Sequence, residues 1–235
     1  MSDIKDLLDT IIQGDCLEVM KEIPDESVDL VLTDPPYGVL GKIQKWDDIN
    51  VKEFTKKWWD LVKNKLKLNS STYVFWSQTY LLEGLQIFQP NRVLIWHHPN
   101  LATPTNKMFL WTYDPILYIK FGKPIFQPSF AEKENVDVFK FAKPQSNWKG
   151  ENKGLHPASK PIKLIMNFVK ISSNENDLVL DPFLGAGTTA IACKKLGRHF
   201  IGIELNPEYI EIANKRLNFE MLDFGENFGE KDEIL

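Results

Sequence analysis

Seven short runs of apolar residues recur along the chain, near 10–13, 28–33, 72–77, 92–97, 115–121, 177–181 and 199–204. Between them, stretches near 51–66, 161–171, 188–196 and 207–217 repeat their apolar positions at helical spacing. Continuous or alternating short runs predict strands, and a 3.6-residue period predicts amphipathic helices. Their alternation predicts a doubly wound α/β sheet. Trp58-Trp59, with Phe54, Leu61 and Val62, falls on one of these helices and is expected to form a packing face. No internal repeat is apparent.

Chemistry gathers at the strand ends. Val28-Asp29-Leu30-Val31-Leu32-Thr33 runs into Asp34-Pro35-Pro36-Tyr37. The carboxylate accepts a proton or a hydrogen bond, the prolines fix the turn and leave a carbonyl without a neighbouring N–H, and the ring offers a stacking face. The same four residues would also serve as an ordinary strand-ending turn. Further on, Leu178-Val179-Leu180 runs into Asp181-Pro182-Phe183-Leu184-Gly185-Ala186-Gly187-Thr188-Thr189-Ala190, which reads as strand, glycine loop, helix. Gly185 and Gly187 let the backbone turn sharply and lie against a ligand of nucleotide type. Glu204 ends the next apolar run, His199-Phe200-Ile201-Gly202-Ile203, about where a carboxylate would hold ribose hydroxyls.

Gly185-x-Gly187-x-x-Ala190 also fits a dinucleotide fingerprint, with a pyrophosphate at the helix N-terminus. Asp181 counts against that reading, because a carboxylate at the strand tip repels phosphate. It suits the ammonium and sulfonium of S-adenosylmethionine, which carries no phosphate. A purely structural glycine turn is the third reading.

With both motifs present, the chain resembles the DNA amino-methyltransferases, which methylate adenine N6 or cytosine N4, over nearly its whole length. Gly14-Asp15-Cys16 is similar to the family's segment at the cofactor's adenine, and His156-Pro157-Ala158-Ser159-Lys160-Pro161 to one lining the methionine end. The second also reads as a helix start with Pro161 in the first turn. The tetrapeptide precedes the glycine loop, an order that resembles the permuted, or beta, class. Protein-glutamine and many RNA amino-methyltransferases carry the loop first and Asn at the acid position, and this chain has neither feature.

The resemblance implies a Rossmann-like, S-adenosylmethionine-dependent methyltransferase sheet with Asp34, Pro35, Pro36 and Tyr37 as the catalytic set. It implies cofactor contacts from Asp15, Cys16, His156, Lys160, Pro161, Asp181, Phe183, Gly185, Gly187, Thr188, Thr189 and Glu204. Asp34 and the Pro35 carbonyl are expected to accept the two hydrogens of the target amino group, while Tyr37 stacks on a base flipped from duplex DNA. Asp at the first position resembles the adenine enzymes, whereas cytosine enzymes more often carry Ser. Adenine N6 is therefore expected, with cytosine N4 as the alternative. A protein or RNA methyltransferase, or a non-catalytic cofactor-binding module, fits less well, since acid and loop are both intact.

A chain of 235 residues with 43% hydrophobic content suits one domain. No apolar run approaches the ~20 residues that span a bilayer. The start, Met1 to Asp6, lacks a basic region and an apolar core, so no secretory signal is expected and a cytoplasmic location is. Cys16, Cys193 and four scattered histidines form no metal-ligand pattern, and both thiols are expected to be reduced. His97-His98 is assigned no role.

The net charge of −4 conceals an uneven distribution. Residues 140–163 hold six lysines against Glu151, a local +5, and 218–235 holds six acids against Lys231, a local −5. Lys140, Lys143, Lys149 and Lys153, with Trp148 among them, are expected to contact DNA phosphates, although a lysine run is also an ordinary solvated face. The acidic tail is expected to fray. Residues 38–50 read as a loop over the active site. Residues 121–154, irregular and with three prolines, behave like an insertion, which in this family carries target recognition. Its shortness implies a short recognition site read by a homodimer, and the resemblance brings a cognate restriction endonuclease as a further candidate partner.

Overall fold

A computed structural model describes residues 4–37, 50–99, 109–128, 136–144 and 160–222. The loop expected at 38–50 lies outside the described residues but for Asn50, as do most of the lysine-rich stretch and the end of the acidic tail. The described residues form one eight-stranded sheet. In chain order its strands are β1 (Thr10–Gln13), β2 (Val28–Thr33), β3 (Leu66–Phe75), β4 (Arg92–His97), β5 (Tyr113–Lys120), β6 (Val138–Lys140), β7 (Leu178–Asp181) and β8 (His199–Glu204). Seven helices accompany them: α1 (Ile4–Leu7), α2 (Cys16–Val19), α3 (Val51–Lys65), α4 (Leu81–Phe88), α5 (Ile162–Ser172), α6 (Thr188–Lys195) and α7 (Pro207–Leu222).

Across the sheet the order is β1-β8-β7-β2-β3-β5-β4-β6. Pairing is parallel from β1 through β3, antiparallel on both sides of β5, and parallel again between β4 and β6. From β2 the chain winds outward through β3, then returns on the other side of β2 as β7. The crevice between β2 and β7 is thus the point where the winding direction reverses, and in open α/β sheets ligands bind there, outside the carboxyl ends of the strands.

Both faces of the sheet are covered, so the central strands are apolar throughout rather than alternating. Leu30 and Leu32 of β2 face a core with Tyr73, Phe75, Trp96 and Phe168, shared with α5 and α6. Val31 faces the opposite core, with Trp58, Trp59 and Val62 of α3, Trp76 just past β3, and Phe88 of α4. Val28 joins that second core out of alternation because the β2–β3 register shifts between Val28 and Leu30. Trp58 and Trp59 pack edge-on at 6.1 Å, and each meets Phe88. Burial of large apolar side chains of this kind contributes roughly 1.5–3 kcal/mol each.

α1, α2, α4 and β6 fall outside the expected elements, β3 starts earlier than expected, and α7 runs on to Leu222, into the stretch expected to fray. β3 starts at Leu66, directly after α3, instead of near 72; its first turn outward leaves Lys67, Leu68 and Asn69 exposed, so no apolar run marks it. α4 was not anticipated, since eight residues with a central glycine make a weak helix signal. Gly84 is needed because a Cβ there would lie 2.5 Å from Nε1 of the Trp76 indole. β6 lies inside the segment read as an insertion and pairs with β4, Ile95 opposite Val138. No helix among the described residues is long and apolar enough to cross a membrane.

Candidate active site

Four strand ends meet at one edge. β2 delivers Asp34, β7 delivers Asp181, β8 delivers Glu204, and β1 continues into Gly14 and Asp15. Together they bound a cavity of about 360 Å³, within the usual range for a small-molecule site. Phe54 and Phe183 form part of its apolar wall, their rings 5.9 Å apart, and Phe183 also meets Trp58 at 5.5 Å.

Asp181 is 5% exposed and fully satisfied. One carboxylate oxygen accepts from Thr33 Oγ1 at 2.8 Å and from the Phe183 N–H at 3.1 Å, and the other from Thr189 Oγ1 at 2.7 Å. Burial pushes its carboxyl up to about 6, against the pull of these donors. The Thr33 bond ties the tip of β2 to the tip of β7.

Glu204 is held by the loop it faces. Its carboxylate accepts from the Gly185 N–H at 2.8 Å and the Asn206 N–H at 2.8 Å, while burial raises its carboxyl. Gly185 and Gly187 both have positive φ, 56° and 83°. Nothing lies within 4 Å of a Cβ built on Gly185, whereas one on Gly187 would meet Ala213 Cβ of α7 at 2.8 Å. Gly185 therefore leaves room on the cavity side, and Gly187 lets α6 and α7 close together. Arg216 of α7 adds a bond to the Ala186 carbonyl at 2.6 Å.

At β2 the Asp34 carboxylate is ion-paired through Oδ2 with Lys160. Its Oδ1 is buried and has no hydrogen-bond partner among the described residues. Burial raises the Asp34 carboxyl, and the adjacent Lys160 ammonium opposes the rise. Tyr37 sets its ring edge-on to Trp76 at 5.6 Å.

All four residues of the tetrapeptide line the cavity, as do Asp15, Cys16, Lys160, Asp181, Phe183, Gly185, Thr188, Thr189 and Glu204. Gly187 stands behind the loop as the residue capping α6, and Pro161 takes the N-cap position of α5, one step ahead of the first turn. His156, Lys149 and Lys153 lie outside the described residues. Lys140 ends β6 and is exposed; Lys143 pairs with Asp114 at 3.0 Å and lies over the Trp96 ring. Asp15 caps α2 by accepting from the Leu17 N–H at 2.8 Å, and the neighbouring Cys16 thiol is pushed by burial up to about 12, so it is no nucleophile. Leu205, Asn206 and Tyr209 also line the cavity and were not foreseen. Their signal was the helix start Asn206-Pro207, where Asn206 Oδ1 accepts from the Glu208 N–H at 2.9 Å. No group of described residues is arranged to hold a metal ion.

Two buried acids, an open glycine turn and apolar walls suit a ligand carrying positive charge and a nucleoside. They do not suit a phosphate, for the Lys160 ammonium at this cavity already pairs with Asp34. S-adenosylmethionine fits that donor set. It supplies an electrophilic methyl group on a sulfonium.

Known proteins converge on the same chemistry. A family model described as DNA methylase matches residues 28–215. The type II methyltransferase M.HinfI of Haemophilus influenzae is 32% identical over 92% of this chain and 70% of its own length. M.HpaI of Haemophilus parainfluenzae, also a type II methyltransferase, is 30% identical over 91% and 76%. Among solved structures, the M1.HpyAVI–SAM complex superposes with a TM-score of 0.68 at 27% identity, covering 89% of this chain and 98% of that one. The PvuII cytosine-N4-specific DNA methyltransferase, at 20% identity and a TM-score of 0.71 over 91% of each chain, shares the fold. With the tetrapeptide and the glycine loop meeting at one cavity, this chain belongs to the DNA methylase family of N6 and N4 amino-methyltransferases.

Proposed function

We propose that this DNA amino-methyltransferase transfers a methyl group from S-adenosylmethionine to the N6 amino group of adenine in duplex DNA. The observation that carries the reading is the buried Oδ1 of Asp34, an acceptor without a donor among the described residues, on a residue that lines the cofactor cavity. An exocyclic amino group is a poor nucleophile while its lone pair is delocalised into the ring. Asp34 Oδ1 and the Pro35 carbonyl accept its two hydrogens, which turns the lone pair toward the methyl group. The N–C bond forms as the S–C bond breaks, the electron pair stays on sulfur, and the surplus amine proton passes to Asp34 and on to solvent. A base in the stack cannot reach this pocket, so it is flipped out, and Tyr37 supports its ring.

Asp181 and Glu204 anchor the cofactor, Asp181 toward its positive end and Glu204 toward the ribose. Cys16 and Phe183 pack on its adenine side. Lys140, Lys143, Lys149 and Lys153 follow the DNA backbone, with Lys143 exchanging its Asp114 partner for a phosphate. The choice of adenine rests on Asp at the head of the tetrapeptide. Incubation of the protein with S-adenosylmethionine and duplex DNA, then hydrolysis to nucleosides and mass spectrometry, should yield N6-methyldeoxyadenosine. N4-methyldeoxycytidine in its place would overturn adenine and leave the family intact.

A further inference from the structure

We infer that Lys160 is the positioning residue of the methyl transfer: its ammonium grips Oδ2 of Asp34, keeping the carboxylate ionised and turned so that Oδ1 is presented to the target amino group. The inference rests on the DNA amino-methyltransferase reading above and adds a role to a residue expected only to line the cofactor's methionine end.

Helix electrostatics do not place Lys160. It directly precedes Pro161, the N-cap of α5, and a cation at a helix N-terminus opposes the helix dipole. Its partner lies 126 residues away in the chain. The position is nonetheless tightly set. Proline restricts the backbone of the residue before it, and the Pro161 carbonyl accepts from the Leu164 N–H at 3.1 Å and the Ile165 N–H at 3.2 Å. The ammonium also lies 5.2 Å from the centre of the buried Phe75 ring. Side-chain exposures of 12% for Lys160 and 21% for Asp34 mean that little water competes for the pair.

A buried carboxylate left alone takes up a proton, and a protonated Asp34 would present a donor where an acceptor is needed. Asp114 and Lys143 also act on Asp34 electrostatically, but they pair with each other at 3.0 Å and pull in opposite directions. Asp181, behind Thr33, adds a further negative charge. His98 lies 3.7 Å from Asp114, and its burial favours the neutral ring. Among these groups Lys160 is the cation in direct contact with Asp34. It holds charge and orientation without taking a proton itself.

The test is a pH titration of aspartate carboxyl groups by 13C NMR in wild type, Lys160→Gln, Lys160→Met and Lys160→Arg, with the Asp34 signal assigned by its loss in Asp34→Asn. Removing the cation should raise the Asp34 midpoint by about 1–3 pH units, and Lys160→Arg should bring it back toward wild type. The acid limb of kcat, measured with saturating cofactor and DNA, should move to higher pH by the same interval. Two neutral variants guard against one that does not fold. An Asp34 midpoint that stays put in a folded neutral variant would overturn the inference, and so would an Arg variant that fails to restore it. Wild-type protein that methylates no duplex DNA would instead tell against the reading on which the inference rests, and shows itself without any variant.

Discussion

A carboxylate with one oxygen paired and the other bare is an acceptor waiting for a donor, and that is the state of Asp34 among the described residues. Asp34→Ala should cut single-turnover methylation by about 10²–10³-fold, the usual effect of removing one preorganised transition-state hydrogen bond. Cofactor affinity by calorimetry should stay nearly intact, and near-normal turnover would remove Asp34 from the chemistry. Asp181 makes a different prediction. Its carboxyl sits at about 6 instead of 3.8, so it is charged above that pH and neutral below it. If its charge holds the cationic end of S-adenosylmethionine, affinity is complete above about pH 7 and declines as pH falls through 6. Asp34 and Glu204 are raised as well, so the share due to Asp181 is the part of the decline that Asp181→Asn abolishes. An identical profile in that variant would assign the cationic contact elsewhere. All three acids were legible from the chain because each ends an apolar run. The grip of Lys160 on Asp34 was not, since the resemblance placed that lysine at the cofactor's methionine end and only folding brings its ammonium to the tip of β2.

At the scale of elements, the loop between β7 and α6 separates two reasons for having a glycine. Gly185 and Gly187 share the left-handed backbone, where a Cβ costs about 1–2 kcal/mol. Only at Gly187 would that Cβ also collide, 2.8 Å from Ala213. Urea denaturation should therefore show Gly187→Ala more destabilised than Gly185→Ala. Calorimetry should rank them by a different cause, with Gly185→Ala binding the cofactor more weakly through the side chain it puts on the cavity side. Equal stabilities would mean that α7 yields at Ala213. Strands and helices with a clear period were readable to within a few residues. What escaped lacks a period: α1 and α2, each a single turn; α4, held by its fit against Trp76; the polar start of β3, tied by the Lys67–Asp29 ion pair at 2.8 Å; and the three residues of β6, which need β4 beside them.

Over the whole molecule, charge is divided rather than balanced, and the basic stretch 140–163 includes the residue that grips Asp34. Replacing Lys140, Lys143, Lys149 and Lys153 by Gln should flatten the dependence of log affinity on log salt by ~0.9 for each phosphate that is no longer neutralised. Binding to cognate and random duplexes should weaken alike. A variant that loses discrimination at an unchanged slope would show these lysines reading bases.

The hydroxyl of Thr33 bonded to Asp181 also has a consequence in time. These residues are 148 positions apart, and their strands must lie side by side before either acid is in place. Closing a loop of that length costs about 4 kcal/mol of chain entropy, regained only once β2 and β7 pair. Helices and the antiparallel pairing of β5 with β4 and β3 can form earlier from nearer contacts. On dilution from denaturant, far-UV signal should recover first and the capacity to bind S-adenosylmethionine should follow as a separate, slower phase. Were the two to recover together, the pairing of β2 with β7 would be part of the nucleus. If they separate, a newly made chain passes through an interval in which it is largely ordered and has no reaction centre at all.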